Sequence, residues 1–178
     1  GDNCLVENIG NYINNYTIEE ECYISNVSTM ETTEGATFGE GNLISVLNEV
    51  GEGNVMLFNG LNSQLAAFMV KHNADKNLRD QLRTMIVDEL ERTLPERGTI
   101  GFGVKIVNTR EVINTIVQDN CEVNGAARLF DCSLLSVAGT GVYVGSGVIC
   151  ENSIVADGSS ITNDCNLQDC YVGEACQL

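Results

Sequence analysis

The chain has 178 residues, 43% of them apolar, with 18 glycines, one proline and no tryptophan, so it is long enough for one domain with a sizeable core. Its formal charge is −16, from 25 acidic and nine basic groups. Phosphate contact needs Lys and Arg, so this balance argues against nucleic acid and against a membrane surface as partners, and no apolar run reaches the ~18 residues that a membrane-spanning helix requires.

Residues 1–59 hold ten acidic and no basic groups. Val6, Tyr12, Ile18, Ile24 and Met30 stand six apart, and so do Phe38, Ile44, Val50 and Met56. That spacing is neither the period of about 3.6 of a helix nor the period of about 2 of a strand. It fits a parallel β-helix, in which each hexad supplies one short strand and one tight corner. The stretch METTEGAT, between the two registers, is expected to be a bulged loop where the register slips. Corners of such a coil favour Gly or Asn, because the backbone must take positive φ there.

Residues 60–98 break the rhythm and hold six acidic and six basic groups. Leu61, Leu65, Phe68, Met69 and His72 share one helical face, and Leu78, Leu82, Met85, Ile86 and Leu90 share another. Asn73 to Asp75 can turn and cap between them, and Pro95 and Gly98 end the second run. The segment reads as a helical hairpin inserted into a solenoid. Its apolar stripes are expected to lie on a flat side of the coil or on a partner chain.

Residues 99–178 resume the coil, with nine acidic and three basic groups. Ile100, Ile106 and Val112 are six apart; the step drops to five at Val117 and returns to six at Val123 and Leu129. VINTIVQDNCEV (112–123), CENSIVADGSSI (150–161) and LQDCYVGEACQL (167–178) align without gaps and share that contraction. Residues 130–143 interrupt the register and are expected to loop out. Leu178 falls on an inward position with no polar cap after it, so further coils are expected to follow.

These repeats resemble the hexapeptide-repeat superfamily, whose fold is a left-handed parallel β-helix. The run N-S-I-V-A-D-G-S-S-I resembles the C-terminal coils of bacterial sugar-nucleotide pyrophosphorylases and acyltransferases. VLNEVGEG (46–53), the helical hairpin, IVNTREVIN (106–114) and NGAARLFDC (124–132) are similar to an uncharacterised bacterial family related to these enzymes. The resemblance implies a mainly β fold, a left-handed parallel β-helix with an inserted α-helical hairpin. It also implies a homo-oligomer, with trimers common in the superfamily. The function expected from it is a β-helical scaffold and assembly segment of a larger protein, with a sugar or nucleotide as small ligand. The alternative is part of a transferase acting on an activated sugar or acyl donor.

Chemistry is sparse. The superfamily's acyltransferases use a His as general base, and His72 is the one His here, with no local partner to orient it. Asn48 and Glu49, between glycine corners, are candidates for meeting a sugar hydroxyl. Arg110 and Arg128 are candidates for a phosphate, set against pairing with neighbouring carboxylates. The G-x-G triplets lack the Lys and length of a phosphate loop and read as corners. None of the eight Cys forms a C-x-x-C pair, and with one His no metal site is expected. No cofactor motif is evident. Free Cys at the repeat period suits small core positions and a reducing cytoplasm.

Overall fold

Aliphatic residues at every sixth position share one core only if the chain bends at regular corners and returns on itself. The computed structural model, which describes residues 1–45 and 53–178, has this character. The chain opens with β1 (Leu5–Asn14), β2 (Tyr16–Ile18) and β3 (Tyr23–Glu31). It is interrupted by β4 (Leu43–Ser45), β5 (Asn54–Met56), α1 (Ser63–Lys71) and α2 (Lys76–Thr93). Strands then follow one another closely: β6 (Gly98–Ile100), β7 (Lys105–Val107), β8 (Glu111–Val117), β9 (Glu122–Asn124), β10 (Arg128–Leu134) and β11 (Tyr143–Val144). The last are β12 (Ile149–Glu151), β13 (Ile154–Val155), β14 (Ser160–Ile161), β15 (Asn166–Gln168) and β16 (Tyr171–Val172). The protein is mainly β. All but β4 and β5 belong to one 14-stranded parallel sheet that curls over a single core.

The pairing resolves into three columns. The inward residues of the first are Val6, Ile24, Ile106, Val123, Val144 and Ile161. Those of the second are Ile13, Met30, Val112, Leu129, Cys150 and Leu167. Those of the third are Ile18, Ile100, Val117, Leu134, Val155 and Val172. Stacked partners such as Lys105 and Glu122 are 17 residues apart. Two steps of six and one of five make that circuit, so the contraction at Val117 is the short corner between the second and third columns.

The corners rest on left-handed backbone, mostly at Asn and Asp. Asn114, Asp131, Asn152 and Asp169 have φ of 49°, 44°, 48° and 49° at successive levels of the short corner. These side chains tolerate that conformation and bond locally. They also bond between levels: Asn152 Nδ2 donates to Asp169 Oδ1 at 3.1 Å, and at the corner between the first and second columns Asn26 Nδ2 donates to Asn108 Oδ1 at 2.8 Å.

Several expectations need correction. Tyr12 is not an inward residue. A register shift between Ile9 and Tyr12 adds a residue to that circuit, and because side chains alternate, it turns Ile13 inward and leaves Tyr12 49% exposed. The second hexad register is not part of the parallel sheet. Leu43 pairs with Met56 and Ile44 with Val55 in an antiparallel hairpin; Val50 lies outside the described residues. The coil of the first 59 residues therefore stops at Glu31, and METTEGAT leads into the insertion rather than bridging a slip. Residues 130–143 do not loop out as a whole. Their first part continues β10, and the level gains only a short excursion, so that Cys121 and Val142 at the next corner are 21 apart instead of 17.

The insertion leaves and re-enters at one corner. Gly98 N–H donates to Thr32 Oγ1 at 2.8 Å across 66 positions, so the two ends are pinned together. The segment then climbs the outside of the short corner. Thr33 N–H donates to Asn114 Oδ1 at 2.8 Å, and one level on, Thr37 N–H donates to Asp131 Oδ1 at 3.0 Å and Phe38 N–H to the same oxygen at 3.3 Å. Ser133 Oγ donates to Phe38 O at 2.8 Å. Gly39 has φ of 82°, and a Cβ there would sit 2.7 Å from Ser153 O, so no other residue fits without a shift. At the last level Tyr171 Oη donates to Leu61 O at 3.2 Å, and Glu174 accepts from Ser63 N–H at 3.2 Å and from Ser63 Oγ. Those Ser63 bonds hold the Glu174 carboxyl below its ordinary range.

Ile44, Val55, Leu57 and Leu61 of the insertion close over Leu135 and Ile154, which point outward from the sheet, and make a second small core. The apolar stripe of α1 is thus met by the flank of the sheet. That of α2 is met less well: Ile86 is its one buried residue among those described, and Met85 is 66% exposed.

Two outcomes check this arrangement. Leu129 is fully buried mid-sheet, so Leu129→Ala should lower unfolding stability by about 2–5 kcal/mol in a urea titration. Glu40 is buried in the insertion, where Asn59 N–H donates to Oε2 at 3.3 Å, and burial raises its carboxyl above the ordinary value. Its folded value then exceeds its unfolded one, so ionisation opposes folding, and the cost is present in full once pH has risen through the folded value. Glu40→Gln should raise the thermal midpoint at about pH 7, with the gain vanishing as pH falls below the ordinary carboxylate range.

Candidate functional site

Alternation along the β4–β5 hairpin sets up the site. Ile44 and Val55 face the sheet, so their neighbours Leu43, Asn54 and Met56 face the other way, toward the helices. Asn62 caps α1 by accepting from Leu65 N–H at 2.8 Å, and Asp75 caps α2 by accepting from Leu78 N–H at 3.1 Å. The tight turn between these helices brings the N-terminal half of α2 over the hairpin.

Between them lies a cavity of 630 Å³ lined by Leu43, Asn54, Met56, Met69, Asn73, Ala74, Arg79, Asp80 and Arg83. Leu43, Met56 and Met69 make an apolar side. Arg79 and Arg83 supply two guanidinium groups and Asp80 one carboxylate. Arg79 Nε stands 3.7 Å from Asp80 Oδ1, and its Nη1 donates to Asn73 O at 3.5 Å, so it is tied weakly. Arg83 has no ion pair among the described residues. A volume of this size with mixed lining suits a small molecule.

The residues singled out from the sequence do not converge here. His72 is the C-cap of α1; its N–H donates to Phe68 O at 3.1 Å and its ring stands 4.5 Å from that of Phe68. Its neighbours Asn73 and Ala74 line the cavity, but His72 is not among the lining residues. Asn48 and Glu49 lie outside the described residues. Arg110 is well exposed, 3.7 Å from Glu111. Arg128 lies on the outside of the sheet between Glu111, at 3.3 Å, and Glu151, at 2.8 Å, and covers the ring of Phe130 at 4.6 Å. These contacts knit three adjacent strands together.

The cysteines are free thiols, and several are shifted upward. Burial pushes Cys121 up to about 11, and it also raises Cys22 and Cys170. A hydrogen bond with Cys132, then burial, holds Cys150 well above its ordinary value. Thiols kept protonated in this way are poor nucleophiles. Among the described residues no three His, Cys, Asp or Glu side chains gather as a metal site would require, and no helix is long and apolar enough to cross a membrane.

Arg79 and Arg83 stand among the six basic groups of residues 60–98, with no motif around them in the sequence. Their spacing of four, on a helix with no acidic residue in its first turn, was the available signal. No curated protein and no solved structure matches the chain. The chain belongs to the family described as Domain of unknown function (DUF4954), whose family model matches residues 1–178.

Proposed function

We propose that this chain is a scaffold and assembly segment, its curled sheet a left-handed parallel β-helix of the hexapeptide-repeat type that carries the inserted lobe and presents its groove to a sugar or nucleotide ligand. The observation that carries the reading is the three-column register. Inward residues stack level upon level, and the insertion is latched by hydrogen bonds to three of those levels through Asn114, Asp131 and Glu174. Such a body is stiff, and a lobe fastened along its length keeps a fixed place on it. Assembly into a homo-oligomer, with three chains as the first expectation, is part of the proposal.

The transferase alternative needs a base beside a bound donor, and His72 packs on Phe68 instead of lining the groove. Two measurements test the scaffold reading. Light scattering should return a mass that is a multiple of 19.2 kDa, and a monomer throughout the concentration range would remove the assembly half. Incubation with acetyl-CoA and with a nucleotide sugar should release no thiol or nucleotide above buffer. Donor consumption that disappears in His72→Gln would instead establish the transferase.

A further inference from the structure

The charges that face the groove are placed where packing alone would not put them. Arg79 and Arg83 are neighbours on one face of α2, and like charges at that spacing repel. Among the described residues that line the groove, the only carboxylate is that of Asp80. By contrast, Lys105 and Arg128 of the sheet each lie within 3.3 Å of a carboxylate on a neighbouring strand.

The order of charge along α2 leaves its groove end richer in cations. Lys76, Arg79 and Arg83 stand with Asp80 in its first half, and Asp88, Glu89 and Glu91 with Arg92 in its second. The partial positive charge at the helix N-terminus is already met by the Asp75 cap. An anion lying against the first turns of α2 would offset the repulsion of the two arginines. In a chain of net charge −16, this groove is a local concentration of positive charge.

The rest of the lining says what the anion is attached to. Leu43, Met56 and Met69 form an apolar wall opposite the guanidinium groups, and 630 Å³ is far more than a lone phosphate needs. We propose that the groove binds a small organic phosphate. Arg79 and Arg83 donate N–H bonds to the phosphate oxygens, the amides of Asn54 and Asn73 meet polar groups on the body, and the three apolar side chains cover its remaining face. The proposal deepens the ligand half of the function proposed above and rests on it; the assembly half stands or falls separately by light scattering.

The test is calorimetric titration of the whole chain with phenyl phosphate, glucose 6-phosphate and uridine 5′-monophosphate. Each is paired with its dephosphorylated form (phenol, glucose, uridine), and inorganic phosphate is titrated beside them. At least one ester should bind saturably, about tenfold or more tighter than its dephosphorylated form and than inorganic phosphate. Arg79→Gln and Arg83→Gln should each weaken that ester by about tenfold, while Arg92→Gln, outside the groove, leaves it unchanged. Without ligand, both groove variants should keep the helical circular dichroism and a thermal midpoint equal to or above that of the parent, since each relieves repulsion. Absence of saturable binding for all three esters below about 10 mM overturns the proposal, and so does an affinity indifferent to Arg83→Gln. Uridine or glucose binding as tightly as its phosphate would keep a sugar or nucleotide ligand while overturning phosphate recognition. Inorganic phosphate matching the best ester would remove the organic body from the site.

Discussion

Every feature of this protein depends on the chain coming back into register with itself. A parallel ladder pairs only when its partner strand returns at the right height and phase; the uninterrupted levels here return after 17 residues, and the longer ones place their extra residues outside the ladder. Inward side chains then stack in columns, and a slip of one residue would send a whole strand's aliphatic groups to solvent. The first circuit shows how the rule is kept when the count is wrong. Its extra residue is absorbed as an irregularity between Ile9 and Tyr12, so that Ile13 still stacks on Met30.

The same constraint explains how so large an insertion is tolerated. Thr32 and Gly98 are joined by a buried hydrogen bond, so the sheet sees one corner whether or not the lobe is present. Closing a long loop costs only slightly more than closing a short one, and the cost is offset where the loop makes contacts of its own. Those contacts are unusually regular. The left-handed corner residues Asn114 and Asp131, which the coil needs for its own bend, also offer Oδ1 to the N–H groups of Thr33, Thr37 and Phe38. One set of side chains thus shapes the corner and holds the lobe, and the outward Leu135 and Ile154 supply the apolar floor beneath it.

The groove inherits its character from this division of labour. The sheet supplies rigidity and keeps Cys121 and Cys150 buried as protonated thiols, and two of its cations, Lys105 and Arg128, are committed to ion pairs between strands. The lobe is looser. Its second helix buries one described residue, Ile86, and leaves Met85 largely exposed, and its arginines are not drawn into strong pairs inside the groove. Chemistry on this molecule is therefore to be sought on the insertion.

The repeat was legible in the residues themselves. Ile100, Ile106, Val112, Val117, Val123 and Leu129 all point inward, and the five-residue step that interrupts them is the short corner. The two helices and the turn from Asn73 to Asp75 were legible for the same reason, because periodicity and capping are encoded within a few neighbouring positions. Position 38 to position 56 misled because an antiparallel hairpin also buries alternate residues. Ile44 and Met56 fit a hexad spacing as well as they fit the pairing they make, and nothing local separates the two. The groove was not legible at all. It exists where β4, β5, α1 and α2 meet, and the charge of Arg79 and Arg83 acquires meaning only once the hairpin lies opposite them. Periodic side chains determine that a chain stacks upon itself; which outer faces then meet is settled by contacts between residues far apart in sequence, and only the folded molecule brings those together.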